Sequence, residues 1–287
     1  MADNGATIRE VLSIAKERLN GVPDSVLASE VLFAHCLGIS RDRLFMDIER
    51  PVDGVAVTKC LDVVDRHARG EPVAYLTGLK EFHGLDFFVD GRVLIPRPET
   101  EHLVDEVLEK AAEIGGGCRI LDVGTGSGCI AVTVAKKSPD SKVVAGDISE
   151  DALEVARFNS VRHGVQDRIE FIRADLMEGI RGPFDIVVSN LPYIGKEKFN
   201  CVSREAVDYE PGVALFGGLD GLDLYRRLFI QVRDSAWKPR CFIGEFGFLQ
   251  GEDLRMMLDC FFPDAKWEIK SDYASIERLF MVEFPPI

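Results

Sequence analysis

Hydrophobic positions recur in two rhythms along this chain, and the change of rhythm divides it. Over residues 1–75 the spacing is helical. In PDSVLASEVLFAHCLGIS, Leu27, Val31 and Ala34 fall on one face, Leu32 and Leu37 extend it, and Gly38 follows as a stop. In VTKCLDVVDRHARG the stripe Val57, Leu61, Val64 also runs out at a glycine. No strand pattern competes, so these residues predict a small helical domain.

From Glu71 to Pro98 the texture becomes aromatic and β-branched, EPVAYLTGLKEFHGLDFFVDGRVLIPRP, with breaks at Gly84 and at Asp90-Gly91. An Asp-Gly pair between FFV and RVLI predicts a β-hairpin, read as a connector over residues 76–97. Pro98 then opens a helix through Ile114, with Glu99 and Glu101 in its positive first turn. IPRPETE reads equally as a helix start or as part of a pocket rim.

Over residues 98–287 strand and helix alternate, the signature of a mostly parallel, twisted sheet covered on both faces, so the fold class is α/β and Rossmann-like. CRILDVG, KVVAGD, RIEFIR, FDIVVSN, RCFIGEF, KWEIKSD and RLFMVEF read as strands. SGCIAVTVAKK, SEDALEVARFNSVRHG, DLYRRLFIQVRDSAW and GEDLRMMLDCFF read as helices. The link between the last two strands is too short for a helical crossover, so they are expected to pair antiparallel at one edge.

At 287 residues and 46% hydrophobic, the chain can bury a substantial core. Its net charge of −14 gives no basic footprint for gripping nucleic acid, and no direct nucleic-acid partner is expected. No apolar run approaches a membrane span and the N-terminus lacks a signal-peptide layout, so a cytoplasmic protein without membrane association is expected. A monomer is the default expectation, since oligomeric state leaves no pattern in the sequence. Seven cysteines (36, 60, 118, 129, 201, 241 and 260) stand singly and five histidines are dispersed, so reduced, packed thiols and no metal site are expected.

Candidate chemistry begins at LDVGTGSG. A strand ends at Asp122 and Val123, and Gly124, Thr125, Gly126, Ser127 and Gly128 turn the chain into a helix, with glycines where a backbone must bend and let a ligand approach. A dinucleotide fingerprint would carry a third-glycine spacing that this chain breaks at Cys129, which weighs against a pyrophosphate. Asp147 ends the next strand 19 residues after Gly128, where a carboxylate can accept from both ribose hydroxyls; the bland alternative is a helix-starting Asp, although Ser149 already supplies a cap. A ligand with ribose and adenine but no pyrophosphate fits, and S-adenosylmethionine is the candidate. Asp175 and Leu176, after the third strand, are placed at the adenine.

The fourth strand ends in VVSNLPY. An amide nitrogen is a poor nucleophile because its lone pair is delocalised, so an enzyme methylating one must hold it in line with the sulfonium methyl. The Asn190 side-chain oxygen and the Leu191 carbonyl can accept its two hydrogens, Pro192 fixes the turn, and Tyr193 offers a flat wall. The bland alternative is a strand ending in a proline turn beside a core tyrosine.

Taken together, AYLTGLKEFHGLDFFVDGRVLIPRPETE, LDVGTGSG, VVAGDIS, SNLPYI, YEPGVALFGGLDGLDLYRRL and GEFGFLQGE resemble the bacterial peptide chain release factor glutamine methyltransferases. SEVLFAHCLGISRDRL resembles the helical domain that such enzymes place first. The resemblance implies a methyltransferase domain over residues 98–287. It also implies methylation of the Gly-Gly-Gln glutamine of class 1 release factors, with S-adenosylmethionine converted to S-adenosylhomocysteine and the helical domain helping to dock the release factor. By the same resemblance residues 124–128, Asp147 and Leu176 hold the cofactor, and Asn190, Leu191, Pro192 and Tyr193 hold the glutamine amide. The chain departs from the family at Leu191, where NPPY is usual, at Leu176, where an aromatic is common, and in DYASIERLF, where relatives read DYAGRDR. Two alternatives are a DNA or RNA adenine amino methyltransferase, which the acidic balance disfavours, and a catalytically weakened cofactor-binding docking protein.

Overall fold

The computed structural model describes residues 6–198, 202–272 and 275–285. Cys201 and part of DYASIERLF, Tyr273 and Ala274, lie outside the described residues. The chain divides into two compact units, Met1–Leu79 and Lys80–Ile287.

The first unit is helical: α1 (Ile8–Arg18), α2 (Ser25–Leu37), α3 (Arg41–Met46), α4 (Gly54–Ala68) and α5 (Val73–Thr77). A capping box starts α1, Glu10 N–H donating to Thr7 Oγ1 at 3.3 Å while Thr7 N–H donates to the Glu10 carboxylate at 2.8 Å. Ile8, Val11, Leu32, Phe33, Leu44 and Val64 form its core. On α2 the predicted Leu32 and Ala34 are buried, but Phe33, off the predicted stripe, is also inside and the predicted Leu27 is 47% exposed. Apolar residues surround this helix, so its periodicity does not select a face; the packing of α1 and α4 does. On α4, Val64 is buried as predicted, and Cys60 and Val63 share the interior.

The second unit opens with a hairpin, β1 (Leu79–Phe82) and β2 (Leu85–Phe88). Its turn is His83-Gly84, both with positive φ (54° and 78°), the backbone a two-residue hairpin loop requires. The expected Asp90-Gly91 hairpin is therefore a misplacement. Asp90 closes a local turn, its Oδ1 accepting from Arg92 N at 3.1 Å, and RVLI finds no strand partner. Nor is the hairpin a free connector, since Phe82 and Phe87 are buried in the core of the larger unit.

After a single 3-10 turn at Pro98–Thr100 the chain continues through α6 (Glu101–Ile114), β3 (Arg119–Val123), α7 (Cys129–Lys137), β4 (Lys142–Asp147), α8 (Glu150–Arg162), β5 (Ile169–Arg173) and β6 (Ile186–Asn190). Then follow α9 (Arg204–Tyr209), α10 (Gly212–Leu215), α11 (Asp223–Asp234), β7 (Cys241–Glu245), α12 (Gly251–Phe261), β8 (Lys266–Ser271) and β9 (Glu277–Glu283). The sheet order is β5-β4-β3-β6-β7-β9-β8, parallel up to β7, with β9 antiparallel to both its neighbours.

Strand residues alternate between two layers. Ile120, Val143, Ile186 and Ile243 pack with α6 and α7, whereas Leu121, Val144, Val187 and Phe242 pack with α11 and α12. Strand order reverses between β3 and β6, which opens a crevice at their carboxyl ends.

Candidate active site

Five strand ends converge on that crevice. Gly124 to Gly128 leave β3, Asp147 ends β4, Asp175 and Leu176 follow β5, Asn190 ends β6, and Glu245 ends β7 directly beside it in register. The first four border a cleft of about 1070 Å³, counting its open mouth, lined by Gly124, Thr125, Gly126, Ser127, Asp147, Asp175, Leu176, Asn190, Leu191 and Pro192 among others. Gly128 is the one residue of the predicted glycine turn absent from the lining. It sits beneath the turn at φ 80°, where a Cβ would come 3.1 Å from Ala156 Cα, so glycine there lets α7 approach α8.

Backbone hydrogen bonds shape the turn: Gly124 N–H and Thr125 N–H both donate to Gly146 O, at 2.8 and 3.0 Å. Asp147 reaches across, its Oδ2 accepting from Gly126 N at 2.9 Å and its Oδ1 from Ser149 N at 2.9 Å. Burial pushes its carboxyl above the usual range, and these backbone donors pull it back. At the foot of the turn the fully buried Asp122 accepts from Thr125 Oγ1 at 2.7 Å, and desolvation pushes its carboxyl up to about 7. Asp175 lines the cleft with its Oδ2 paired to Arg227 Nη2 at 2.6 Å.

Asn190 and its neighbours also line a second, adjoining cavity with Tyr193, Ile194, Ser203 and Ala206. Asn190, Leu191 and Pro192 thus separate and join the two spaces, as a transfer from one ligand to another requires. The Leu191 side chain is 3% exposed and packs so closely that a Cβ on Gly124 would lie 3.0 Å from its Cδ2. The buried Tyr225 hydroxyl donates to the backbone carbonyls of Ser189 and Glu245, on the two strands that flank this turn.

The segment YEPGVALFGG braces this tetrapeptide from below. Ile194 N–H donates to Leu215 O and Gly217 N–H to Ile194 O, each at 3.0 Å. Glu210, from YEP, accepts from Ile95 N at 3.1 Å and pairs with Arg97, tying IPRPETE to the same loop.

Three site residues escaped the sequence reading. Thr100 accepts from Asn190 Nδ2 at 2.9 Å and donates to Glu245 Oε2 at 2.7 Å, while Tyr193 Oη donates to Glu245 Oε1 at 3.2 Å. Glu245 is fully buried and desolvation pushes its carboxyl up to about 7; burial raises the Tyr193 phenol as well. An acid closing a strand beside Asn190, in RCFIGEF, was the available signal for Glu245; the signal for Thr100 was IPRPETE, read as helix start or rim. Asn159 is the third: its amide bonds Phe88 at both N–H and C=O (2.8 and 3.0 Å) and Ser127 O at 2.9 Å, locking hairpin to glycine turn. A buried amide on a helix leaves no pattern in sequence.

A parallel sheet with this strand order, a glycine turn at its switch point and an acid on the next strand define a methyltransferase of the Rossmann-like class. Residues 100–207 match the methyltransferase small domain family and residues 10–78 the PrmC N-terminal domain family. The chain is 37% identical over 261 residues to the release factor glutamine methyltransferase of Chlorobaculum tepidum, covering 88% of each. It is 40% identical over 264 residues to that of Geobacter sulfurreducens, covering 89% of this chain and 91% of the relative. This chain belongs to the release factor glutamine methyltransferase family.

Solved structures at lower identity share the fold alone. They include the hMettl16 catalytic domain in complex with MAT2A 3'UTR hairpin 6 (TM-score 0.58, 14% identity, 78% of this chain and 83% of that one). A methyltransferase from Pyrococcus furiosus also matches (TM-score 0.51, 18% identity, 71% and 91%).

Proposed function

We propose that this protein methylates the side-chain amide nitrogen of the Gly-Gly-Gln glutamine in class 1 peptide chain release factors, using S-adenosylmethionine. The observation that carries it is the Asn190 amide, pinned by Thr100 at the junction of two adjoining cavities beside the glycine turn.

The chain's residues fit the cofactor. Gly124 and Gly126 line the cleft without side chains, Asp147 presents a carboxylate suited to ribose hydroxyls, and Asp175 and Leu176 border the place for adenine. When bound, the cofactor supplies an electrophilic methyl on a sulfonium. Asn190 Oδ1 and the Leu191 carbonyl accept the two hydrogens of the target amide and aim its nitrogen. Pro192 holds the turn and Tyr193 forms the wall. Orientation of this kind accounts for roughly 7 to 11 kcal/mol in favourable cases, so no strong base is needed to begin. The methylated nitrogen, strongly acidic, releases its proton to water.

The helical unit is assigned to docking the release factor, and the hairpin and residues 98–287 to the transfer. The protein is assigned to the cytoplasm as a monomer without direct nucleic-acid binding; no described helix is long and apolar enough to cross a membrane.

Incubation with S-adenosylmethionine and a release factor is expected to add one methyl to the Gly-Gly-Gln glutamine, read by peptide mass spectrometry. Asn190→Ala is expected to lower kcat about a hundredfold, as for loss of one oriented polar group. Labelling of duplex DNA with an unmodified release factor would favour the adenine methyltransferase reading instead.

A further inference from the structure

Three donors around Glu245 all point the same way. Asn190 Nδ2 donates to Thr100 Oγ1 at 2.9 Å, Thr100 Oγ1 donates to Glu245 Oε2 at 2.7 Å, and Tyr193 Oη donates to Glu245 Oε1 at 3.2 Å. A threonine hydroxyl carries one proton. Once that proton is committed to the carboxylate, only lone pairs remain for Asn190, which must therefore present its NH2 end. The two ends of a planar amide point apart, so Oδ1 is turned away from Thr100. Among the described residues it accepts no hydrogen bond, and it is absent from the sealed, unpartnered atoms such as Asp122 Oδ1 and Ser189 Oγ.

Resting on the amide-methylation reading above, we propose that Thr100 and Glu245 are positioning residues that set which end of the Asn190 amide faces the target nitrogen. Polarity is the point. An oxygen facing the cavities accepts an N–H of the target, whereas a reversed Asn190 would oppose N–H to N–H and push the nucleophile off line. With Glu245 ionised the surroundings permit one arrangement only, because its backbone carbonyl is taken by the Tyr225 hydroxyl and both side-chain oxygens accept from Thr100 and Tyr193.

Glu245→Gln tests this without changing shape. The Tyr193 hydroxyl continues to donate to the carbonyl end of the new amide, which turns its NH2 end toward Thr100. Thr100 must then donate to Asn190, and the amide flips. Expected is a fall in kcat of about a hundredfold with the Kd for S-adenosylmethionine held within about threefold, since misaimed groups cost rate rather than binding. Thr100→Val behaves likewise, and Thr100→Ser, which keeps the hydroxyl, stays within about threefold of wild type. Adding Tyr193→Phe to Glu245→Gln lets the new amide turn back and recovers about tenfold of the lost rate.

A second readout needs no turnover. In nitrogen-proton spectra of the protein alone, one Asn190 side-chain proton exchanges slowly in wild type and Thr100→Ser, and both exchange fast in Thr100→Val. Wild-type kcat in Glu245→Gln, or equal damage from Thr100→Ser and Thr100→Val, would overturn the proposal. A protected Asn190 proton in a wild type that leaves the release factor unmethylated would instead sink the reaction reading and leave the polarity standing.

Discussion

Asp147 carries more than the sequence assigns to it. A carboxylate at the tip of a second strand signals a ribose contact, and its spacing from the glycine turn makes it legible. In three dimensions the same group also organises the turn, since Gly126 N–H and Ser149 N–H each take one of its oxygens. Asp147→Ala is expected to weaken S-adenosylmethionine binding by about 1.5–3 kcal/mol, the usual range for hydrogen bonds to a charged group, measured by titration calorimetry. Asp147→Asn keeps one acceptor and is expected to fall between. Leu191 shows the converse. As a departure from a proline it reads as a loosened turn, yet its buried side chain fills the space against Gly124.

Among elements, the layer formed by α11, α12 and the far sheet face rests on a cluster of aromatic rings. Phe229 lies at its centre, with ring centroids of Tyr225, Phe242, Phe261, Phe262 and Phe280 between 5.1 and 5.9 Å away. Phe229→Ala is expected to cost about 3–5 kcal/mol, read as a lower urea midpoint at unchanged slope. The alternation of Phe242 and Ile243 across β7 was legible as a strand, and so was the stripe of α11. Their meeting through Phe229 was not, because ring-on-ring packing depends on partners far apart in the chain. The hairpin failed for a related reason: both His83-Gly84 and Asp90-Gly91 could turn the chain, and burial of Phe82 and Phe87 chose the first.

At the scale of the whole molecule, buried acids set the response to pH. Asp122 and Glu245 have carboxyls pushed up to about 7 by desolvation from ordinary values of 3.8 and 4.5. Between those limits the native protein holds protons that the unfolded chain has released. Stability from these groups is therefore fully present below about pH 4 and is lost as pH rises to 7. Asp220 acts in a separate window, because its Arg226 partner lowers it to about 2, so its contribution is lost only in strong acid. Asp122→Asn is expected to flatten the fall in stability between pH 4 and 7, measured by urea unfolding at several pH values. A wild-type slope in that variant would show that Asp122 does not titrate in this window.

Sequence alone determined the alternation of strand and helix, the antiparallel edge, the glycine turn and the tetrapeptide after β6, because each is written in neighbouring residues whose spacing follows backbone geometry. Tertiary structure alone decided that α2 buries Phe33 and exposes Leu27, that the chain turns at His83-Gly84, and that Thr100 and Glu245 meet Asn190. The physical reason is common to all three. Each outcome depends on which distant surface or donor is available to pair, and a one-dimensional pattern records what a residue needs without recording who supplies it.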